Sequence, residues 1–428
     1  MPAPRIAVVA GVRTPFCRAG SVYRDITPVE LARLTLVELL HRAELDPARV
    51  DIVVLGNVIP SPMAPNVARE AALGAGINPA APAFTVNRAC ASSNQAITSC
   101  AEAILAGQAE IAVAGGVESV SDVPILVSKP LRKILLAANR ARGFGPKLRA
   151  FLGFRPRHLL PEAPAIAEPS TGLTMGQSCE KMAKENGISR AAQDELACRS
   201  HRNAARATDD GRLEQEMFHV IAPPKFTEVA VADNGIRRDT TVEALAKLSP
   251  AFDRRYGTLT AGNSSPLTDG ASGVLLMTEE KARAEGYTPL GILRAWAYAA
   301  LSPWEQLLMG PAYAIPKALD RAGLKLADMD LIEMHEAFAA QVLSNIQALG
   351  SATFAREQLG RSEPVGEVDP ARLNTRGGSI AIGHPFGATG ARLVTSALLE
   401  LARLGKKYAL ISVCAAGGMG HAMVLERA

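Results

Sequence analysis

Nine short runs of apolar and β-branched residues, set apart by stretches of helical period, constrain this chain most. "RIAVVAGV", "VDIVVLGNV", "AFTVNRA" and "EIAVAGGV" fall within the first 120 residues, with helical patterns near 28–43, 66–75 and 91–106. Short strand-like runs alternating with helices predict parallel α/β units. The last 160 residues repeat the scheme with "GVLLMTE", "LGILRAWAYA", "MDLIEMHEAF", "YALISVCAAGG" and "HAMVLERA", and with helices near 304–322, 338–349 and 387–404. Local echoes link the halves: "ARVDIVVLGNV" with "ADMDLIEMHEA", and "IAVAGGVESV" with "ISVCAAGGMG". We read an internal duplication, two similar α/β lobes packed together, each with a mixed sheet.

A different segment, roughly 122–250, separates the lobes. Its stretch from Lys129 to Arg157 holds nine Lys or Arg and no Asp or Glu. Leu131, Ile134, Leu135 and Ala138 recur there at helical spacing, while Arg132, Lys133 and Arg140 fall off that stripe. Three readings stay open: an amphipathic basic helix for a membrane surface or a partner, a helix packed on its own protein, and an attraction for a phosphate-bearing ligand.

Bulk properties narrow the class. A chain of 428 residues, 48% apolar and 21% charged, is globular and predicts about two or three domains. A net charge of +4 is too small to imply nucleic-acid binding. No run of about 18 apolar residues exists, so no membrane span is expected. The N-terminal residues enter a strand-like run at once, so no secretory or transit leader is expected. The cysteines are Cys17, Cys90, Cys100, Cys179, Cys198 and Cys414, widely scattered and without a C-x-x-C pair. That pattern predicts free thiols in a reducing cytoplasm. Cys198 and His201 are spaced like half a zinc site, but no second half is visible.

Chemistry concentrates in four stretches. In "FTVNRACASSNQAI", Cys90 falls between a strand-like run and a run of helix formers. Ile97, Cys100, Ala101, Ile104 and Leu105 form one apolar side of that helix, and Gly107 reads as its stop. An unpaired cysteine is often a small buried hydrophobe. A helix N-terminus also favours a thiolate, but a dipole worth about 1–2 kcal/mol moves a thiol pKa by only roughly one unit from about 8.5. A reactive Cys90 therefore needs a base. "GGSIAIGHPFGATGAR" offers His384 in a glycine-rich turn ahead of a helix; no Gly-Lys-Ser/Thr follows, so an NTPase loop is rejected. In "SVCAAGGMGHA", Cys414 ends an apolar strand and meets small residues. In "EMHEAFAAQ", His335 and Glu336 leave a strand and enter a helix.

Together these stretches resemble the thiolase family over almost the whole chain. "VNRACASSNQAI" is similar to its nucleophile motif, "HEAFAAQ" to its Asn/His-Glu-Ala-Phe motif, "GGSIAIGHPFGATGAR" to its histidine motif and "CAAGGMG" to its second-cysteine motif. The "HEAF" form, the basic insertion, "NGIRRDTTVEALAKLSPAF" and "GTLTAGNSSPLTDGAS" most resemble the β-subunit of the fatty-acid β-oxidation trifunctional complex and its bacterial counterparts. The resemblance implies duplicated α/β lobes in five αβαβα layers. It divides the chain into 1–121 and 251–280 for the N-terminal lobe, 122–250 for a loop domain with a helical insertion near 125–160, and 281–428 for the C-terminal lobe.

The implied reaction is thiolysis of a 3-ketoacyl-CoA, with CoA as co-substrate and no permanently bound cofactor or metal. Cys90 would attack the keto carbon and His384 take its proton. Cys414 would protonate the departing enolate and then deprotonate the incoming thiol, a task for a group whose pKa lies near the working pH. One oxyanion site would use His384 and a water on His335; the other, the backbone N–H groups of Cys90 and Ala416. Many members have Gly where Ala416 stands and Asn where His335 stands; a backbone donor survives the first change if φ at Ala416 is negative. Ser265 would touch the pantetheine arm, Arg237 the CoA nucleotide, and Met175 would wall the acyl pocket. A homodimer or dimer of dimers, a hydratase–dehydrogenase α-subunit, membrane contact through 129–157 and no nucleic acid complete the expectation. The alternatives are acetoacetyl-CoA condensation, a ketoacyl synthase on the same fold, and an inactive CoA or lipid carrier.

Overall fold

The computed structural model describes residues 4–161 and 167–428. Part of the segment expected to form the loop domain, 162–166, lies outside the described residues. In chain order the strands are β1 (Ile6–Arg13), β2 (Cys17–Arg18), β3 (Ile52–Gly56), β4 (Ala83–Val86) and β5 (Ala112–Glu118). A small hairpin, β6 (Val220–Ala222) and β7 (Glu228–Ala230), follows. Then come β8 (Thr268–Thr278), β9 (Gly291–Ala300), β10 (Leu331–Met334), β11 (Tyr408–Ala415) and β12 (Met419–Arg427).

The duplication is visible in the pairing. The first lobe runs β1-β8-β5-β3-β4, antiparallel twice and then parallel twice. The second runs β9-β12-β11-β10, antiparallel twice and then parallel. It lacks only a counterpart of β4. The halves join edge to edge where β1 meets β9 antiparallel, Ile6 against Leu293 to Val8 against Gly291.

Alternation along each strand builds the layers. Val53, Leu55 and Val113 pack outward with the helices Pro28–Arg42 and Val67–Gly74. Val54, Ala112 and Ala114 face the other way, into a core shared with Ala409, Ile411 and Val413 of β11. Between those faces run the helices Ser92–Leu105 and Thr389–Leu404. Leu410 and Ile332 turn to the far side, against Gly310–Ala322 and Ala339–Gly350. The result is α, β, α, β, α.

Three local expectations shift. The helix expected from 304 starts at Gly310, after a 3-10 turn at Leu307–Met309, because Pro311 suits the first helical turn and has no N–H to donate deeper in. Leu105 is exposed rather than on the apolar face of its helix. The basic stretch does form a helix, Lys129–Arg140, but only Leu131 of its stripe is buried, and Leu135 remains 43% exposed. Among the described residues, little covers that stripe.

Candidate active site

The site forms where the two middle helices meet N-terminus to N-terminus. Ala391 N–H, in the first turn of one, donates to Ser93 Oγ of the other at 3.0 Å. Gly390 allows the approach, since a Cβ there would sit 2.0 Å from Asn94 Oδ1. Each helix is preceded by a turn that carries reactive groups. Neither Ala91 nor Ala388, the N-cap residues, offers a capping side chain; Ser93 Oγ takes the Ala391 N–H from the facing helix instead.

The first turn holds Cys90. Strand β4 ends at Val86, Asn87 Oδ1 accepts from Ala89 N–H at 3.0 Å, and Ala89 takes a φ of 45°. That left-handed turn costs a residue with a Cβ about 1–2 kcal/mol, strain of a kind that gathers at reactive turns. Ser92 Oγ closes it, accepting from Arg88 N–H and donating to Ala89 O. Cys90 keeps partial access to solvent although its sulfur is densely surrounded. That surrounding pushes its thiol up to about 12, while the N–H groups of Ala416 and of Cys90 itself pull it back. The expected lowering at a helix start is therefore overturned: desolvation outweighs the dipole.

The second turn holds His384. Its Nδ1 lies 2.6 Å from Thr389 Oγ1. That hydroxyl spends its proton on Pro385 O at 3.1 Å, so it accepts from Nδ1–H and leaves Nε2 as a lone pair. Burial, and then the charge of Arg392, depresses His384 to about 3. His335 stacks beside it, ring centroids 3.9 Å apart, with Nδ1 2.8 Å from Ser379 Oγ. Burial, His384 and Arg392 hold His335 well below the usual imidazole range. One ring nitrogen of each histidine and Cys90 Sγ all lie within 4.8 Å of one another.

Cys414, at the end of β11, is fully buried; burial and then the neighbouring Cys90 hold its thiol well above the usual range, so the expected thiol pKa near the working pH is not met in the resting site. Ala416 is absent from the positive-φ residues, so its N–H is presented as a glycine's would be. A thiol, a neutral base and backbone donors at one point suit nucleophilic acyl transfer.

The remaining candidates lie around this centre. Met175 packs against the buried cluster that contains Cys414 and Phe338. Ser265, half-buried, is held by its N–H on Ala337 O, just after His335 and Glu336. Arg237 is exposed, its N–H on His201 Nδ1. Burial and then the charge of Arg237 lower Arg18 nearby. Cys198 Sγ instead contacts Thr240 O, so Cys198 and His201 do not form a zinc half-site.

Two comparisons of sequence bear on this geometry. The thiolase N-terminal domain matches residues 6–280 and the thiolase C-terminal domain residues 287–427. The chain belongs to the thiolase family. Relatives within it include the 3-ketoacyl-CoA thiolase of Yersinia pestis (strain Pestoides F), 52% identical over 422 residues, 99% of this chain and 97% of that one. Among solved thiolase-fold structures, the Bacillus anthracis acetyl-CoA acetyltransferase superposes with a TM-score of 0.85 at 33% identity, covering 100% of this chain and 99% of its own. Human mitochondrial 3-ketoacyl-CoA thiolase gives 0.84 at 31%, covering both chains fully.

Within this thiolase fold, four residues matter that sequence reading passed over. Glu118 ends β5 and accepts from Val58 N–H, Ile59 N–H, Asn57 Nδ2 and, across the lobe boundary, Gly387 N–H at 3.0 Å. It thus pins the His384 turn to the first lobe, and burial raises its carboxyl to about 7. Thr389 and Ser379 orient the two imidazoles. Arg18 joins Arg237. Only Glu118 had a visible signal, an acid closing the apolar run "IAVAGGVE".

Proposed function

We propose that this chain cleaves 3-ketoacyl-CoA with CoA, giving acetyl-CoA and an acyl-CoA shortened by that unit, in fatty-acid β-oxidation. The observation that carries the reading is the meeting of Cys90 Sγ with two neutral imidazoles and the Ala416 N–H. Cys90 attacks the 3-keto carbon while His384 Nε2 takes the thiol proton. Both groups start neutral, since burial raises the thiol and lowers the imidazole. The C–C bond breaks, the enolate of acetyl-CoA leaves, and Cys414 protonates it. Cys414 then takes the proton of the incoming CoA thiol, which attacks the acyl-Cys90 carbonyl. N–H groups of Cys90 and Ala416 stabilise that carbonyl's oxyanion, and His335 with His384 faces the thioester oxygen of the leaving unit. Loss of one such donor costs about 3–4 kcal/mol of barrier.

Ser265 and Arg237, with Arg18 beside it, are assigned to the pantetheine arm and the CoA nucleotide, and Met175 to the acyl wall. Two guanidiniums close enough for one to act on the other, with Arg18 lowered by burial and then by Arg237, suit a phosphate ligand. A second copy of the chain pairs along β4, a sheet edge with one neighbour and Phe84 41% exposed. The stretch 129–157 meets an anionic membrane surface or a hydratase–dehydrogenase α-subunit. Supporting this, Phe144 is 83% and Leu152 84% exposed among basic residues. No described helix is long and apolar enough to cross a membrane. The six free cysteines fit a reducing cytoplasm.

Steady-state loss of enolate absorbance from acetoacetyl-CoA and longer 3-ketoacyl-CoA, with CoA added, tests the activity. Wild type turns over and Cys90→Ala does not. Equal rates for the two proteins would defeat the reading. Liposome flotation with Arg132, Lys133 and Arg140 neutralised tests the surface.

A further inference from the structure

We propose that Cys90, His335 and His384 form an inhibitory site for a single Zn²⁺ or a like borderline-soft divalent cation. A sulfur and two imidazoles are the donor set such cations prefer. The three ligand atoms already lie within 4.8 Å of one another. Tetrahedral bonds of about 2.0–2.3 Å need ligand separations of roughly 3.4–3.6 Å, a closure of about 1 Å. Binding requires that closure from rotation of the partly exposed Cys90 side chain and a small approach of the rings.

Two further observations point to a metal. Nε2 of His335 and Nε2 of His384 are buried and have no hydrogen-bond partner, although both residues are nearly sealed from solvent, at 1% and 3% exposure. Their Nδ1 atoms, by contrast, each meet a hydroxyl, Ser379 Oγ at 2.8 Å and Thr389 Oγ1 at 2.6 Å. A ligating imidazole characteristically gives its other N–H to such a partner, which fixes the ring. The third ligand exists because this chain carries a histidine at 335; an asparagine there would leave a sulfur and one ring.

Binding is a simple exchange. The Cys90 thiol gives its proton to the buffer, the thiolate and two nitrogen lone pairs bond the cation, and water fills the fourth position. The bound cation occupies the sulfur and the base together, so acyl transfer stops. The site needs only the geometry and does not depend on the thiolysis reading.

Co²⁺ alone is the probe, added to the full-length metal-free protein. One equivalent should produce intense visible bands of four-coordinate cobalt and a thiolate-to-cobalt band in the near ultraviolet. Cys90→Ser should lose the ultraviolet band. His335→Asn should weaken binding at least about tenfold, since losing even the partner behind a ligand costs about 10–100-fold. Zn²⁺ should also protect Cys90 of the wild-type protein from alkylation, read by mass spectrometry, which covers the case of a variant that folds poorly. No spectral change at one equivalent, equal affinities for wild type and His335→Asn, or no protection of Cys90 would each overturn the site. Missing cobalt bands with thiolysis intact would remove this inference alone; cobalt binding without thiolysis would remove the catalytic reading alone.

Discussion

Replacing Thr389 with valine tests how the base is prepared. Valine keeps the shape and removes the acceptor that holds His384 Nδ1–H at 2.6 Å. Pro385 O loses the hydroxyl proton but keeps Thr389 N–H at 3.1 Å, so the helix start survives. A buried N–H left without an acceptor costs about 1–3 kcal/mol. The ring escapes that cost by moving its proton to Nε2, which leaves no lone pair facing Cys90. A bias of about 1–3 kcal/mol toward the wrong tautomer lowers the competent fraction by roughly 5–150-fold. The expected result is kcat reduced by that order with KM nearly unchanged, because substrate contacts are untouched. Thr389→Ser restores the hydroxyl and should recover most of the rate. Thiolysis assays on purified variants, with urea melts to confirm folding, decide it. A valine variant as fast as wild type, or a serine variant no better than valine, would refute the tautomer argument.

Acid should destabilise the fold early. Four imidazoles, His201, His335, His384 and His421, are held neutral by burial, with His201 near 4 and His384 and His421 near 3. Folded values below the unfolded value of about 6.5 mean stability present above pH 6.5 and lost as pH falls toward the folded values, at about 1 kcal/mol per group between pH 6.5 and 5.5. Two buried carboxyls oppose this: Glu118 and Glu333, raised by burial to about 7 and about 8, each gain about 1 kcal/mol over the same interval. Urea unfolding at those two pH values should therefore differ by about 2 kcal/mol, with less stability at pH 5.5; no loss on acidification would show that the rings charge freely in the folded state. Gly116→Ala should cost about 3 kcal/mol or more, because its Cβ would stand 1.9 Å from Gly387 O, a backbone atom. Glu118→Ala removes the acceptor of Gly387 N–H and of the Val58 and Ile59 amides, and should lower stability by about 3–5 kcal/mol and slow thiolysis, as equilibrium unfolding and kinetics will show.

Much of this architecture could be read from residue order because most strands are short apolar runs and many helices, such as Pro28–Arg42 behind Thr27 and Val67–Gly74 behind Asn66, begin with a capping side chain. Cys90, His335, His384 and Cys414 stood out for the same reason: each interrupts a regular pattern at the end of an element. What stayed hidden depends on contacts across the lobes. Glu118 meets Gly387 from 269 residues away, and nothing near either position announces the other. The hydroxyls of Ser379 and Thr389 look like ordinary helix-start residues until the rings above them are seen. The depth of the Cys90 site reversed the expected direction of its thiol, since crowding by distant segments leaves no local trace. The basic stripe formed its helix as the period implied, but whether anything covers it is a matter of neighbours, not of period.

The β1–β9 seam has one more consequence. The sulfur comes from a turn on one side of it and both ring nitrogens from turns on the other. A solitary copy of the repeated half would own a nucleophile without a base, or a base without a nucleophile, so reactivity here belongs to the union of two halves and to neither ancestor.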